Sequence, residues 1–192
     1  MRRMTMHGFA TLLALGIAVT RPALTQNVSL QSFHLPKITA ETHALDAVLG
    51  KWNCLWDLHS ARYKRKVNVI WTFAGAGEGF MVHDEFRADN GSGGTLFVGE
   101  TYRAYNPVTK AWTFQATQYV SAQSGMKSGE WDAGTTRFDD DDFTDEISKG
   151  AVTTWFRFHV KRDSFSVVGE RSKDGGETRS TITNIECTRA QS

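Results

Sequence analysis

From residue 50 onward, for about 140 residues, the sequence keeps apolar and polar side chains in near-regular alternation, broken only by turns rich in Gly, Asn and Asp. A period of two is what a strand shows when one of its faces is buried. On this reading strands fall at 52–58, 67–73, 80–87, 96–105, around Trp112 to Gln118, then at 126–133, 135–138, 143–148, 151–162, 165–171 and 178–188. A long meander of short strands has a problem at its two edges, where unpaired N–H and C=O groups invite pairing with other chains. Closing the sheet on itself removes both edges. The expected fold is therefore all-β: a single antiparallel up-and-down barrel of eight or more strands, with a short N-terminal helix.

Individual runs show the alternation plainly. Trp52, Cys54, Trp56 and Leu58 share one face of the first strand against Asn53, Leu55 and Asp57 on the other. Val67, Val69, Trp71 and Phe73 alternate with Asn68 and Thr72, and Trp112, Phe114, Ala116 and Gln118 form one face of a later strand. Asp89 to Gly94 is a hairpin connection of residues that tolerate positive φ, and Asn106-Pro107 starts another turn. One helix is expected over 39–49. Thr39 is placed to cap it, Ile38 to staple the first turn, and Leu45, Val48 and Leu49 to share a face before Gly50 ends it.

The N-terminus reads differently. Arg2 and Arg3 precede an apolar run over 9–19, the pattern of a secretory signal, with small residues near Ala23 and Thr25 as a cleavage point. The run is short for a membrane helix, which needs ~20 apolar residues; an uncleaved anchor is the alternative. The expected organisation is a signal peptide over 1–25, an extended leader over 26–37 and one barrel domain over 38–192. Export, to the periplasm or the medium, follows from that signal. Without Arg2, Arg3 and Arg21, the 22 Lys+Arg become 19 against 21 Asp+Glu, a formal charge of −2. That balance leaves no basic footprint for nucleic acid, and the cluster Tyr63 to Lys66 reads as a solvated turn. No stable membrane span is expected after cleavage, and oligomeric state is not readable.

Gly50-Lys51-Trp52 after a short helix resembles the Gly-x-Trp start of the calycins. That resemblance implies that Trp52 closes the barrel floor against a basic residue near the last strand, for which Arg189 is the positional candidate. The residues 45–52, Asp84 to Arg87, Tyr102 to Trp112 and 163–178 resemble more closely an uncharacterised bacterial family of calycin-like domains. The resemblance spans nearly the whole mature chain and implies fold, not activity.

Two cysteines in an exported chain invite a disulfide. Cys54 lies in the first barrel strand and Cys187 in the last, which closure makes neighbours; a bridge would pin the seam, and two buried thiols are the alternative. Chemical motifs are sparse. Gly75 to Gly79 is followed by strand-like Phe80-Met81-Val82, so no helix N-terminus would meet a phosphate. No nucleophile elbow occurs, and His34, His43, His59, His83 and His159 lack metal-ligand spacing. Asp139 to Asp142 with Asp145 and Glu146 lacks the pattern of an EF-hand and reads as a solvated acidic turn. Ser172 to Thr178, which resembles a single propeller Asp-box, reads as a hairpin turn. No cofactor and no metal site is expected.

What remains is polar residues within apolar strands. Alternation places Asp84 with Phe80, Val82 and Phe86, an unfavourable position unless the carboxylate is paired. Asp84 is then either an acid in a cavity or a structural partner for an interior arginine or tyrosine. The candidate ligand-binding set is Asp84, Phe86, Tyr102, Trp112, Phe114 and Gln118; parity alone leaves either face open to Tyr102 and Gln118, as it does to Gln115, Tyr105, Trp155, Arg157 and His159. Weak catalytic candidates are Asp84, His83 and His159, the last more simply placed outside. The favoured function is an exported barrel that binds a small, largely apolar molecule inside. The alternatives are a small acid–base enzyme of isomerase, cyclase or hydratase type in the same cavity, and an envelope protein with a filled barrel. Whether the chain is an enzyme is left open by the sequence.

Overall fold

The computed structural model of the chain describes residues 38–59, 64–92, 94–120 and 128–191, which fall in one compact unit, Pro36–Ser192. The expected signal and leader, 1–37, lie outside the described residues. Ten antiparallel strands follow one another: β1 (Gly50–His59), β2 (Lys64–Ala76), β3 (Met81–Asp89), β4 (Thr95–Asn106), β5 (Ala111–Val120), β6 (Trp131–Asp139), β7 (Asp142–Lys149), β8 (Val152–Lys161), β9 (Ser164–Ser172) and β10 (Ser180–Arg189). Each pairs with its neighbours in sequence, and β10 returns to β1, so the sheet closes as an up-and-down barrel.

Alternation fixes which residues face inward, because a slip of one residue would turn a whole strand inside out. Trp52, Cys54 and Trp56 on β1 pair across to Trp71, Val69 and Val67 on β2, and all six are buried. The seam between β1 and β10 sets Cys54 opposite Cys187, and the two are joined in a disulfide. The seam is thus covalent as well as hydrogen-bonded.

Two elements differ from expectation. Instead of a helix over 39–49 there are two short 3₁₀ turns, Ala40–His43 and Asp46–Val48. Thr42 donates its hydroxyl to the Thr39 carbonyl and Asp46 bonds His43, side-chain bonds that compete with helix propagation. Leu45 and Val48 are buried all the same. The strands expected at 126–133 and 135–138 are represented by the single strand β6, which runs through Gly134; residues 121–127 lie outside the described residues. Gly134 is a packing site and not a break. It pairs with Phe114, and a Cβ there would sit 2.6 Å from that ring and 2.1 Å from the Glu146 carbonyl oxygen.

The same device recurs twice. A Cβ at Gly99 would sit 2.9 Å from the Phe97 ring, and one at Gly169 would sit 2.5 Å from the Thr183 methyl and 3.2 Å from the Phe156 ring, so these glycines too leave room for inward side chains. Below them an aromatic column fills the barrel. Trp52 meets Phe165 edge-on at 4.8 Å, Trp71 touches Phe73, Phe86, Phe158 and Phe165, and Phe143 stacks on Phe158 at 4.1 Å. The Ser172 to Thr178 segment is a turn. Ser172 and Thr178 bond Asp174 while Gly175 and Gly176 take φ of 73° and 105°. Hydrogen bonds from Ser172, then Thr178, hold the Asp174 carboxyl well below the usual carboxylate range.

Candidate functional site: a buried ionic layer in the barrel interior

The end of the barrel where β1 begins is closed. Trp52 is fully buried and donates its indole N–H to the Val48 carbonyl at 2.8 Å. Arg189 lies over the Trp52 ring, 4.1 Å from its centroid, and donates to the carbonyls of Leu49 (2.9 Å), Ala47 (3.0 Å) and Arg162 (3.2 Å). A crevice of about 400 Å³ on this end is bordered by Asp46, Asp141, Arg162 and Arg189, where Arg189 is already committed.

Beside the aromatic column, β4 sends Arg103 into the lumen. Its Nη1 binds Asp84 of β3 and its Nη2 binds Asp145 of β7. The Trp71 indole N–H donates to Asp84 Oδ1 at 2.7 Å, and the Thr136 hydroxyl to Asp145 Oδ1 at 2.6 Å. Each of the four carboxylate oxygens thus accepts a bond. Arg103 is 2% exposed, Asp84 1% and Asp145 3%, and the guanidinium lies 5.8 to 5.9 Å from the centroids of Phe114, Phe143 and Phe158. Among the described residues its Nε–H has no acceptor.

Burial raises the pKa of Asp84 above the usual range, although Arg103 and the Trp71 hydrogen bond pull the other way. For Arg103 burial opposes the charge, but the Asp145 and Asp84 carboxylates outweigh it and keep the guanidinium protonated above its ordinary range. Two carboxylates face one guanidinium, so the layer carries no net positive charge.

Beyond this layer the inward-facing residues change character. Phe97, Gly99 and Thr101 on β4, Ala116, Gln118 and Val120 on β5, Asp132 on β6 and Phe156 on β8 are only partly buried. Register places Thr101 directly across from Asp84 and next to Ala116. Partial exposure beyond the ionic layer is thus concentrated on β4 and β5, while Trp56, Val67, Ala88 and Ile185 on β1, β2, β3 and β10 stay buried.

Of the six candidate ligand-binding residues, Asp84, Phe86, Trp112 and Phe114 face inward and are buried, and Gln118 faces inward and is partly buried. Tyr102 is a correction. Its neighbour Arg103 takes the interior, so Tyr102 lies outside, bonded to Glu100 at 2.9 Å. The two candidate histidines also lie outside. His83 stacks on Tyr102 at 4.4 Å and His159 bonds Asp142 at 2.8 Å, so neither forms a pair with Asp84. The acidic run is split: Asp142 serves the outer face and Asp145 the interior, and among the described residues no cluster of three His, Cys, Asp or Glu is placed to hold a metal ion. Arg157 and Trp155 are outside as well, bonded to Glu170 and Glu146. Sequence reasoning missed Arg103, Asp145, Thr136 and Trp71 as partners of Asp84. An acid between Phe143 and Ile147 on one strand face was the available signal for Asp145.

These features define a calycin-like ten-stranded barrel. Comparison with solved structures agrees: an S-type phycobiliprotein lyase from Guillardia theta superposes with a TM-score of 0.52, covering 81% of this chain and 95% of that chain at 11% identity. Rv2717c from M. tuberculosis does so with a TM-score of 0.51, covering 81% of this chain and 100% of that chain at 14% identity. At such identities the likeness is one of fold. No protein-family model and no curated protein matches the sequence.

Proposed function

We propose that this chain is an exported barrel that binds a small, largely apolar molecule in the partly open half of its interior. The observation that carries the reading is the gradient along the inward-facing rows of β4 and β5: buried at Arg103, Trp112 and Phe114, and only partly buried from Thr101 and Ala116 onward. Barrel mouths lined mainly by apolar groups, with a few polar anchors, are common places for ligands. Of the original candidates Gln118 lies at this chamber, and Phe97, Thr101, Ala116 and Phe156 join it. Asp84, Phe86, Trp112 and Phe114 form its base and supporting wall.

The acid–base reading is weaker because His83 and His159 are on the outer face. Export is supported by the Arg2-Arg3 and apolar N-terminal pattern and by a disulfide, which persists in oxidising compartments. Native mass spectrometry of protein recovered from the periplasm or medium tests both parts. A co-purified small molecule released on unfolding, and a mature N-terminus near residue 26, are the expected results. Repeated preparations with an empty barrel that takes up no apolar dye would favour the filled-barrel alternative and end the proposal. Retention of the intact N-terminus in the cytoplasm would end the export part.

A further inference from the structure

Resting on the proposed interior binding, we infer that the guest is electrically neutral and presents one hydrogen-bond acceptor, such as a ketone, ether or hydroxyl oxygen, to the Nε–H of Arg103. A guanidinium at the base of an apolar chamber suggests at first an anion receptor. The geometry argues against that. Nη1 and Nη2 are each taken by a carboxylate, and the two acids outnumber the one base. A carboxylate entering from above would meet a layer with no positive charge to spare, in surroundings that screen charge poorly. A cation fares no better. The four carboxylate oxygens already accept bonds from Trp71, Thr136 and Arg103, and the group left over is a donor.

A neutral acceptor completes the bonding of that buried donor and adds no charge. The buried Nε–H would be approached past two small side chains, Thr101 and Ala116, which face inward, are partly exposed, and occupy the next interior positions above Arg103 and Phe114. Phe97, Val120 and Phe156 take the apolar remainder of the guest, and the inward Asp132 is already paired with Lys149 and offers no spare charge.

The test uses the purified protein with its disulfide intact and the neutral dye N-phenyl-1-naphthylamine, whose fluorescence rises in apolar surroundings. The dye is displaced at neutral pH by decan-2-one, decanoate or decylammonium, each below micelle formation. The ketone should displace it at a concentration about tenfold lower than either ion. Dye binding with decanoate or decylammonium competing as well as the ketone would overturn this inference and leave interior binding standing. No dye binding at all would overturn both. Asp145→Asn, shown to be folded by circular dichroism, should narrow the gap between ketone and decanoate by about tenfold, because one carboxylate then balances one guanidinium. Asp84→Asn serves in the same way if the first variant does not fold, and an unchanged gap in a folded variant counts against the charge argument.

Discussion

Replacing Arg103 with methionine isolates the energetics of the ionic layer. Methionine keeps an unbranched apolar stem of similar reach and removes only the charge and its donors. Asp84 and Asp145, 1% and 3% exposed, are then left in the interior without their cation. Removing one partner of a buried ion pair costs about 3–5 kcal/mol, a large share of the roughly 5–15 kcal/mol that holds a domain folded. At roughly 2–4 °C per kcal/mol for a chain of this size, the melting temperature should fall by ~6–20 °C.

The loss should depend on pH with a definite sign. Burial already raises the Asp84 pKa in the intact protein, against the pull of Arg103; without Arg103 it rises further. A carboxyl that holds its proton more tightly when folded makes the native state bind more protons than the unfolded one, so stability falls as pH rises. The Arg103→Met deficit should therefore be smallest below about pH 4, where the unfolded carboxyl is protonated too, and should grow through the raised folded pKa toward neutrality. Urea melts read by tryptophan fluorescence follow this directly, since Trp71 donates to Asp84. The triple variant Arg103→Met, Asp84→Asn, Asp145→Asn, which buries no charge, should recover most of the loss. A deficit under about 1 kcal/mol at neutral pH, or one unchanged between about pH 4 and pH 7, would refute the picture of a dry, charge-paired layer.

Reduction of Cys54–Cys187, or its replacement by two alanines, releases a loop of 133 residues and should cost up to about 5 kcal/mol in the chain-entropy account; melts with and without reductant that coincide would show that the ladder alone holds the seam. Gly134→Ala should destabilise by about 1–3 kcal/mol through overpacking against Phe114 and the Glu146 carbonyl, and Phe114→Leu in the same chain should relieve only the part due to the ring. Arg189→Met removes the stack on Trp52 and three carbonyl contacts and should cost about 2–4 kcal/mol, detected as faster hydrogen exchange at the closed end; exchange rates equal to those of the intact protein would show that the 3₁₀ turns seal the floor unaided.

Which parts of this structure could be read from sequence follows from what period two can and cannot encode. It gives the barrel, because runs such as Trp52 to Trp56 and Val67 to Phe73 have one face that must be hidden, and closure then brings Cys54 beside Cys187. It gives the inward position of Asp84 between Val82 and Phe86. It fails at Arg103, because Thr101, Tyr102, Ala104 and Tyr105 are amphipathic or small and give neither face a clear claim on the interior. Tyr102 could therefore be named as a candidate but not given a side, and the structure places it outside.

Asp145 was hidden for another reason. The charged run Asp139 to Asp142 gave the neighbouring acids the look of a solvated turn, although Phe143, Asp145 and Ile147 repeat the pattern that exposed Asp84. An inward carboxylate on each of two strands needs a cation within reach, or a proton in its place. With Asp84 and Asp145 both assigned inward, the nearest arginine of matching parity on a neighbouring strand is Arg103, paired in register with Val82. Inward charges in a closed barrel therefore have to be assigned jointly across strands, and the donor left over from that balance, the Arg103 Nε–H, is the group that the proposed neutral guest would satisfy.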